Sequence, residues 1–417
     1  MPWGSVAGMN CSVSPIIRLG LAAFVLACGA PLPAAPPSGP QLTVDRVVIL
    51  MRHGIRSTTK QPPLPGAAAQ PWPSWPVPPG YLTPHGGRAI GRLGSFDRSW
   101  LVPQGLVPRS GCPSADSLSV IADSDQRTIE TARNWAANVA PSCKVSIAHK
   151  PQGAPDPMFH AVEQGAVRID PKRADASVRR ALGGADGATL DRRFRPVLQR
   201  LDQVLCGSET KGCGISSEPT KIVPATATSK PRLGGALDKA STAGQTILLE
   251  YGGGKAMRNV GWGRASTADV RAFSVFHAFQ YGALQRDRYL ASASLALLMP
   301  RMRQALSGTS DSPAVLMIAG HDGTVANLAG LLGAHWTVPG LAADDPVPGG
   351  ALILERLRDP QGHKYFRVYY RGQTLEQMRN LAPLTPGSTY MAQIKLPGCR
   401  SDLCTEREFA ALLGGSK

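Results

Sequence analysis

A short apolar run, rich in β-branched residues and followed at once by polar ones, recurs three times along this chain. Arg46-Val-Val-Ile-Leu-Met51 runs into Arg52-His53-Gly54-Ile55-Arg56, and Leu118-Ser-Val-Ile-Ala122 into Asp123-Ser-Asp-Gln-Arg127. The third, Ala314-Val-Leu-Met-Ile-Ala319, runs into Gly320-His321-Asp322-Gly323. Helical spacing follows the second through Thr131, Ala132, Trp135 and Val139, and the third over 325–332. Continuous apolar strands alternating with helices predict an α/β fold with a mostly parallel, doubly wound sheet flanked by helices. Ligands of such sheets sit beyond the carboxyl ends of the strands, where all three polar clusters fall.

Between the second and third strands the period changes. Leu190, Phe194, Val197, Leu198, Leu201, Val204 and Leu205 keep helical spacing, as do apolar residues across 234–251 and 270–306. A Gly/Pro/Ser/Thr-rich connector over roughly 207–233 separates the first of these helices from the others. The expected organisation is an α/β domain in two parts, 41–159 and 291–417, interrupted by a smaller, mainly helical subdomain over 160–290. Gly252-Gly-Gly-Lys255 is not a phosphate-binding loop, since Leu249 and Ala256 stand where its pattern needs Gly and Ser or Thr. It reads as the glycine-rich end of a helix. Gln61–Gly80 holds eight prolines together with Trp72 and Trp75, and it reads as a loop bordering the site.

The first forty residues form an address. They contain no acid and one base, Arg18, ahead of the apolar run Leu19–Ala27, which is too short to span a bilayer. Five prolines within 29–40 then make a stiff spacer. Residues 1–40 are therefore read as a signal peptide and Pro-rich spacer, giving a periplasmic or secreted protein. The alternative is a membrane-anchored lipoprotein, because Val25-Leu-Ala-Cys28 resembles a lipobox in which Cys28 carries the lipid anchor.

The chain is 417 residues long, 43% hydrophobic and 18% charged, which excludes a disordered chain. Its net charge of +16 fits an anionic small molecule or simply a soluble basic surface, while scattered bases and the lack of a recognition motif argue against nucleic acid. No protein partner is implied. Beyond the address six cysteines remain, an even number suited to pairing in an exported protein. Close spacing suggests Cys112–Cys143, Cys206–Cys213 and Cys399–Cys404, although six cysteines allow fifteen connectivities.

The clusters carry a chemistry. Arg52 and Arg56 place two guanidiniums beside the His53 imidazole, a combination suited to holding an oxyanion next to a nucleophile. Their charge disfavours imidazolium and keeps His53 neutral. Arg127 adds a third cation at a helix start. His321 and Asp322 bring a further donor and a carboxyl. A nucleophile, charge clamps and an acid suffice for phosphoryl transfer without metal or cofactor.

Arg52-His-Gly-Ile-Arg56 with Gly320-His321-Asp322 resembles the histidine acid phosphatase family, branch 2 of the histidine phosphatase superfamily, and especially its bacterial periplasmic phytases and glucose-1-phosphatases. Further matching stretches are Leu82–Gly87, Ala122–Arg127, Val260–Arg264, Phe276–Gln280, Pro348–Ala351 and Gly372–Met378, so the resemblance covers about residues 42–410. It implies that His53 attacks phosphorus, that Arg52, Arg56, Arg127 and His321 bind the phosphate, and that Asp322 protonates the leaving alcohol. Lys60 matches a position that touches polyphosphorylated substrates. The three cysteine pairs agree with bridges of the group, whose additional long-range bridge is missing here. Two departures stand out: Thr58 replaces the family's proline, and His321-Asp-Gly-Thr324 replaces its His-Asp-Thr-Asn.

The resulting expectation is a cofactor-independent acid phosphomonoesterase acting on phytate or sugar phosphates, most active below about pH 6. Two alternatives are a non-catalytic phosphate- or inositol-phosphate-binding protein, and a metallophosphatase using His53, His321 and Asp322 as ligands. Three neighbouring arginines speak against a cation within that last set.

Overall fold

The computed structural model describes residues 42–209, 212–309 and 312–414. The signal segment and Cys28 lie outside the described residues. In chain order the strands are β1 (Thr43–Arg52), β2 (Leu118–Ala122), β3 (Ile147–Ala148), β4 (Lys221–Val223), β5 (Arg232–Gly234), β6 (Val315–Gly320), β7 (Ala351–Arg358), β8 (Lys364–Gly372), β9 (Tyr390–Ile394) and β10 (Cys404–Thr405). The helices are α1 (Pro84–Leu101), α2 (Gln126–Val139), α3 (Pro171–Ala181), α4 (Gly187–Cys206), α5 (Ala236–Gly252), α6 (Thr267–Gln285), α7 (Arg288–Ser294), α8 (Met299–Ser307), α9 (Asp322–Leu332), α10 (Leu375–Asn380) and α11 (Glu406–Leu412).

The main sheet has the order β10-β8-β7-β1-β6-β2-β3, with β9 on β8. Strands β1, β6, β2 and β3 are parallel, as the three apolar runs predict. The sheet then continues through β7 to β10 in antiparallel pairings. A short turn over 359–363 joins β7 to β8, and a connection that short permits only a hairpin. The fold is α/β, with its parallel strands grouped at one side of β1.

Central strands are apolar throughout because both faces are covered. Val48, Leu50, Leu316 and Ile318 enter one core with Leu201, Leu248 and Phe273 of the helical layer. Val47, Ile49 and Met51 enter a second core with Ile90, Leu93 and Trp135 of α1 and α2. The segment 160–290 contributes α3 to α6 and the β4–β5 hairpin, and these helices share the first core with the sheet. The hairpin occupies the polar connector over 207–233. The single helical period over 270–306 resolves into α6, α7 and α8, with Asp287 capping α7 and Pro300 inside the first turn of α8.

Helix α1 starts where its sequence directs: Thr83 accepts from the Gly86 amide and Pro84 occupies the first turn. Gly86 is required by contact, since a Cβ there would lie 2.1 Å from the Ile55 carbonyl oxygen. That approach seats α1 directly on the Arg52–Arg56 turn. On the buried face of α1, Asp97 accepts from Trp135 Nε1 and from Arg371, each at 2.7 Å. Disulfides join Cys112–Cys143, Cys206–Cys213 and Cys399–Cys404 and tie loops at the periphery. Among the described residues no helix is long and apolar enough to cross a membrane.

Candidate active site

The sheet ladder continues past its strand ends and aligns the three clusters. The His53 amide donates to the Gly320 carbonyl at 2.9 Å, and the Asp123 amide to Ala319 at 3.1 Å. His53, Asp123 and His321 therefore emerge side by side. Gly54 gives the turn its room, since a Cβ there would meet Ile90 at 2.7 Å, and its amide donates to Thr131 Oγ1.

His53 is buried, and its Nδ1 lies 2.9 Å from the Gly54 carbonyl oxygen. A carbonyl only accepts, so Nδ1 carries the hydrogen and the neutral ring keeps its lone pair on Nε2. Burial, followed by the charges of Arg127, Arg52 and Arg56, holds the imidazole well below its ordinary pKa. The ring stays neutral in acid.

Arg52 is fully buried and anchored by the Pro346 carbonyl at 2.6 Å and Gln245 Oε1 at 2.7 Å. It also lies 3.2 Å from Asp322 Oδ2. Burial and the neighbouring Arg127 and Arg52 push the Arg56 guanidinium down to about 10, so it remains a cation at working pH. Arg127 pairs with Asp125 at 2.6 Å. The Nε atoms of all three arginines are buried without a partner.

Asp322 opens α9, and its Oδ1 accepts from the Gly323 amide. Burial opposes ionisation here, but Arg52 and His277 outweigh it and hold the carboxyl well below its usual range. His277 lies between two carboxylates, Nδ1 2.6 Å from Asp345 and Nε2 3.4 Å from Asp322. Burial works against charge on this ring too, and Asp345 with Asp322 raises its pKa nonetheless. Thr324, one of the two departures, accepts from the His321 amide at 3.2 Å. The other, Thr58, is buried and donates to Gln61, which steadies the loop after Arg56.

Asp123 is buried and its Oδ2 receives two imidazoles, His321 Nε2 at 2.5 Å and His160 Nε2 at 2.9 Å. Burial alone would favour the neutral acid, yet both histidines hold the carboxylate ionised. The His53 and His321 ring centroids are 5.7 Å apart, and those of His160 and His321 5.4 Å.

Above these groups the cavity has two lobes, which share Arg56, Thr59, Tyr281 and Asp322. The first, about 300 Å³, is lined by His53, Arg127, His321 and His160, with Lys230 and Glu163 at its edge. The second, about 360 Å³, is walled by Asp238, Ser241, Thr242 and Gln245 of α5, by Gln280, and by the loop at Thr58–Lys60 and Pro63–Leu64. Of the predicted residues, His53, Arg56, Arg127, His321 and Asp322 meet in the first lobe. Arg52 lies behind them, and exposed Lys60 lines the second. Sequence reasoning assigned no role to Asp123, His160, Gln245, His277 or Asp345. Asp123 and His277 lie within matched stretches; the other three carry no local signal.

Comparison with known proteins identifies relatives of this arrangement. Residues 43–205 and 271–371 match the model of the histidine phosphatase superfamily (branch 2). Phytase AppA of Escherichia coli (strain K12) is 33% identical over 396 residues, covering 88% of this chain and 90% of that protein. Glucose-1-phosphatase of Providencia rettgeri is 27% identical over 414 residues, covering 95% and 98%. The solved structure of Hafnia alvei phytase in complex with myo-inositol hexakis sulphate superposes with a TM-score of 0.81 at 33% identity, covering 91% of this chain and 98% of that one.

Proposed function

The chain belongs to the histidine phosphatase superfamily (branch 2) and is a phosphomonoesterase, and from that premise we propose that it works through a phosphohistidine on His53. The observation that carries this reading is the Nδ1 hydrogen bond from His53 to Gly54, which leaves the Nε2 lone pair for attack in a cavity lined by Arg56 and Arg127. Arg52, Arg56, Arg127 and His321 bind the phosphate, and the guanidinium charges stabilise its equatorial oxygens as they gain negative charge.

Attack by Nε2 forms a P–N bond as the ester P–O bond breaks, and Asp322 gives its proton to the departing alkoxide. Water then attacks the phosphohistidine, Asp322 takes a proton back, and the P–N bond returns its electrons to Nε2. In the free protein Arg52 holds Asp322 ionised. An incoming phosphate dianion competes for Arg52 and adds negative charge beside the carboxyl, and both effects favour the acid form. Turnover is therefore highest in acid, below about pH 6, where neutral His53 and protonated Asp322 coexist.

The substrate is a hydroxyl-rich phosphate monoester, phytate or a sugar phosphate. The phytase and glucose-1-phosphatase relatives support this choice, as does the hydroxyl- and amide-lined second lobe. Lys60 reaches additional phosphates of a polyphosphorylated ester. The enzyme acts in the periplasm or outside the cell, either free or anchored through a lipid on Cys28, as the N-terminal address supports.

Phosphate release from phytate, glucose 1-phosphate and an aryl phosphate, assayed in acid with chelator beside His53→Ala, tests the reading. Turnover that vanishes in the variant is expected, and the substrate ranking names the physiological class. A folded protein that binds phosphate without turnover would replace the enzyme reading with the binding one.

A further inference from the structure

Beside the reacting imidazole stands a second constellation that phosphoryl transfer does not use in full. Asp123 Oδ2, His160 Nε2 and His321 Nε2 converge, with all three atoms within 4.8 Å of one another. Zinc takes nitrogen ligands at about 2.0–2.1 Å and carboxylate oxygens at about 2.0–2.2 Å in a tetrahedron. Such ligand atoms stand about 3.3 Å apart. The observed separations of 2.9 Å and 2.5 Å to the carboxylate oxygen need only a slight opening of the cluster to reach that spacing.

The surroundings supply the remaining requirements. Asp123 and His321 are buried on strand-end backbone, while the His160 side chain is 38% exposed and lines the cavity, so an ion has a route in. The arginines do not bar a cation from this corner. Arg127 is paired with Asp125, which also lies 3.6 Å from His321 Nε2, and Arg52 lies against Asp322. Glu163 on the same rim adds a carboxylate, paired with Lys230 at 3.1 Å. This set differs from His53, His321 and Asp322, where the guanidiniums crowd the ligands directly.

We propose that Asp123, His160 and His321 form a binding site for a divalent transition metal of zinc chemistry, and that its occupation inhibits the phosphatase. Two imidazole nitrogens and one carboxylate oxygen suit zinc and its borderline neighbours, not magnesium or calcium. On binding, the Nε2 hydrogens that now face Asp123 give way to metal–nitrogen bonds, and each neutral ring carries its hydrogen on Nδ1. The fourth position faces the cavity and takes water or a phosphate oxygen. Coordination withdraws His321 from the phosphate and adds a dication close to His53, so turnover stops. The inhibitory half rests on the phosphatase reading; the binding half stands on the three ligands alone.

The test titrates chelator-stripped protein with Zn2+ at neutral pH by calorimetry, and with Co2+ for its visible d–d bands, in the natural chain and in His160→Asn. Inhibition by Zn2+ is measured in parallel on glucose 1-phosphate, because phytate itself sequesters the metal. The expected result is Zn2+ binding that weakens by roughly tenfold or more in the variant, with the half-inhibitory concentration rising by the same factor. Each protein's own metal-free turnover is the reference for its inhibition, and circular dichroism with a melting transition reports that the variant is folded. Equal Zn2+ affinity in the two proteins, or no measurable binding, overturns the site. Binding that depends on His160 but leaves turnover untouched overturns the inhibitory role and keeps the site.

Discussion

The two lobes of the cavity meet at Arg56 and Asp322, yet they are built from different material. The phosphate lobe is made of charged side chains on strand ends, fixed by ladder hydrogen bonds and by ion pairs such as Arg52–Asp322 and His321–Asp123. The second lobe is walled mainly by hydroxyl and amide groups of α5, with the Asp238 carboxyl among them, and by a proline-rich loop. Carboxyls feel the contrast: Asp322 is held far below its usual range, whereas Glu250, on the α5 that walls the second lobe, is pushed up to about 7, chiefly by burial. Rigid charge at strand ends serves the bond that breaks, and an adaptable polar wall serves whatever is attached to it.

The largest separation of the two roles comes from Asp322→Asn. Turnover of an alkyl phosphate falls by roughly 10²–10⁴-fold. The loss on an aryl phosphate is much smaller, because a phenolate leaves with little help from a proton. Equal losses on both esters in steady-state assays would remove Asp322 as the proton donor.

Glu250 probes the helical wall through stability. Its Oε2 accepts from the Gly261 amide, while Oε1 is buried without a partner. The folded pKa lies above the ordinary value of 4.5, so the full contribution is present below about pH 4.5. It is lost as pH rises, because the unfolded chain ionises first, and the loss is complete above about 7. The cost is about 3 kcal/mol. Denaturant unfolding of Glu250→Gln at acid and at neutral pH is expected to show that much less decline; an unchanged slope contradicts this account of the wall.

Smaller effects separate recognition from chemistry. Ser241→Ala combined with Thr242→Val removes hydroxyls from the second lobe at about 1 kcal/mol each, raising KM for glucose 1-phosphate by roughly five- to thirtyfold. Inhibition by inorganic phosphate, which needs only the first lobe, stays constant. Were phosphate inhibition to weaken in parallel, the lobes would not be independent. Smallest of all is Lys60→Ala, an exposed charge worth about 1 kcal/mol or less. It raises KM for phytate a few-fold and leaves glucose 1-phosphate unaffected.

The contrast between the lobes also governs what the sequence discloses. Strand ends announce themselves, because an unbroken apolar run must stop where polar chemistry begins, and 46–56, 118–127 and 314–323 each show that edge. Ser241, Thr242 and Gln245 read only as the polar side of an amphipathic helix, since periodicity does not distinguish a solvent face from a cavity wall. The structure buries Ser241 and Gln245. His160 is a lone histidine in a loop, and only the fold brings it to Asp123, 37 residues away. The antiparallel half escaped for another reason. Ala351-Leu-Ile-Leu354 gives a buried strand but no direction, which the short turn after Arg358 then fixes.

The central claim is that His53 attacks through Nε2. Rapid quenching under alkaline conditions during turnover of an aryl phosphate, followed by phosphorus-31 spectroscopy of the isolated peptide, locates the phosphoryl group directly. The account predicts a single phosphohistidine, on Nε2 of His53, that is absent from His53→Ala. A phosphoryl group on Nδ1 or on another residue, or steady turnover in His53→Ala, would contradict it.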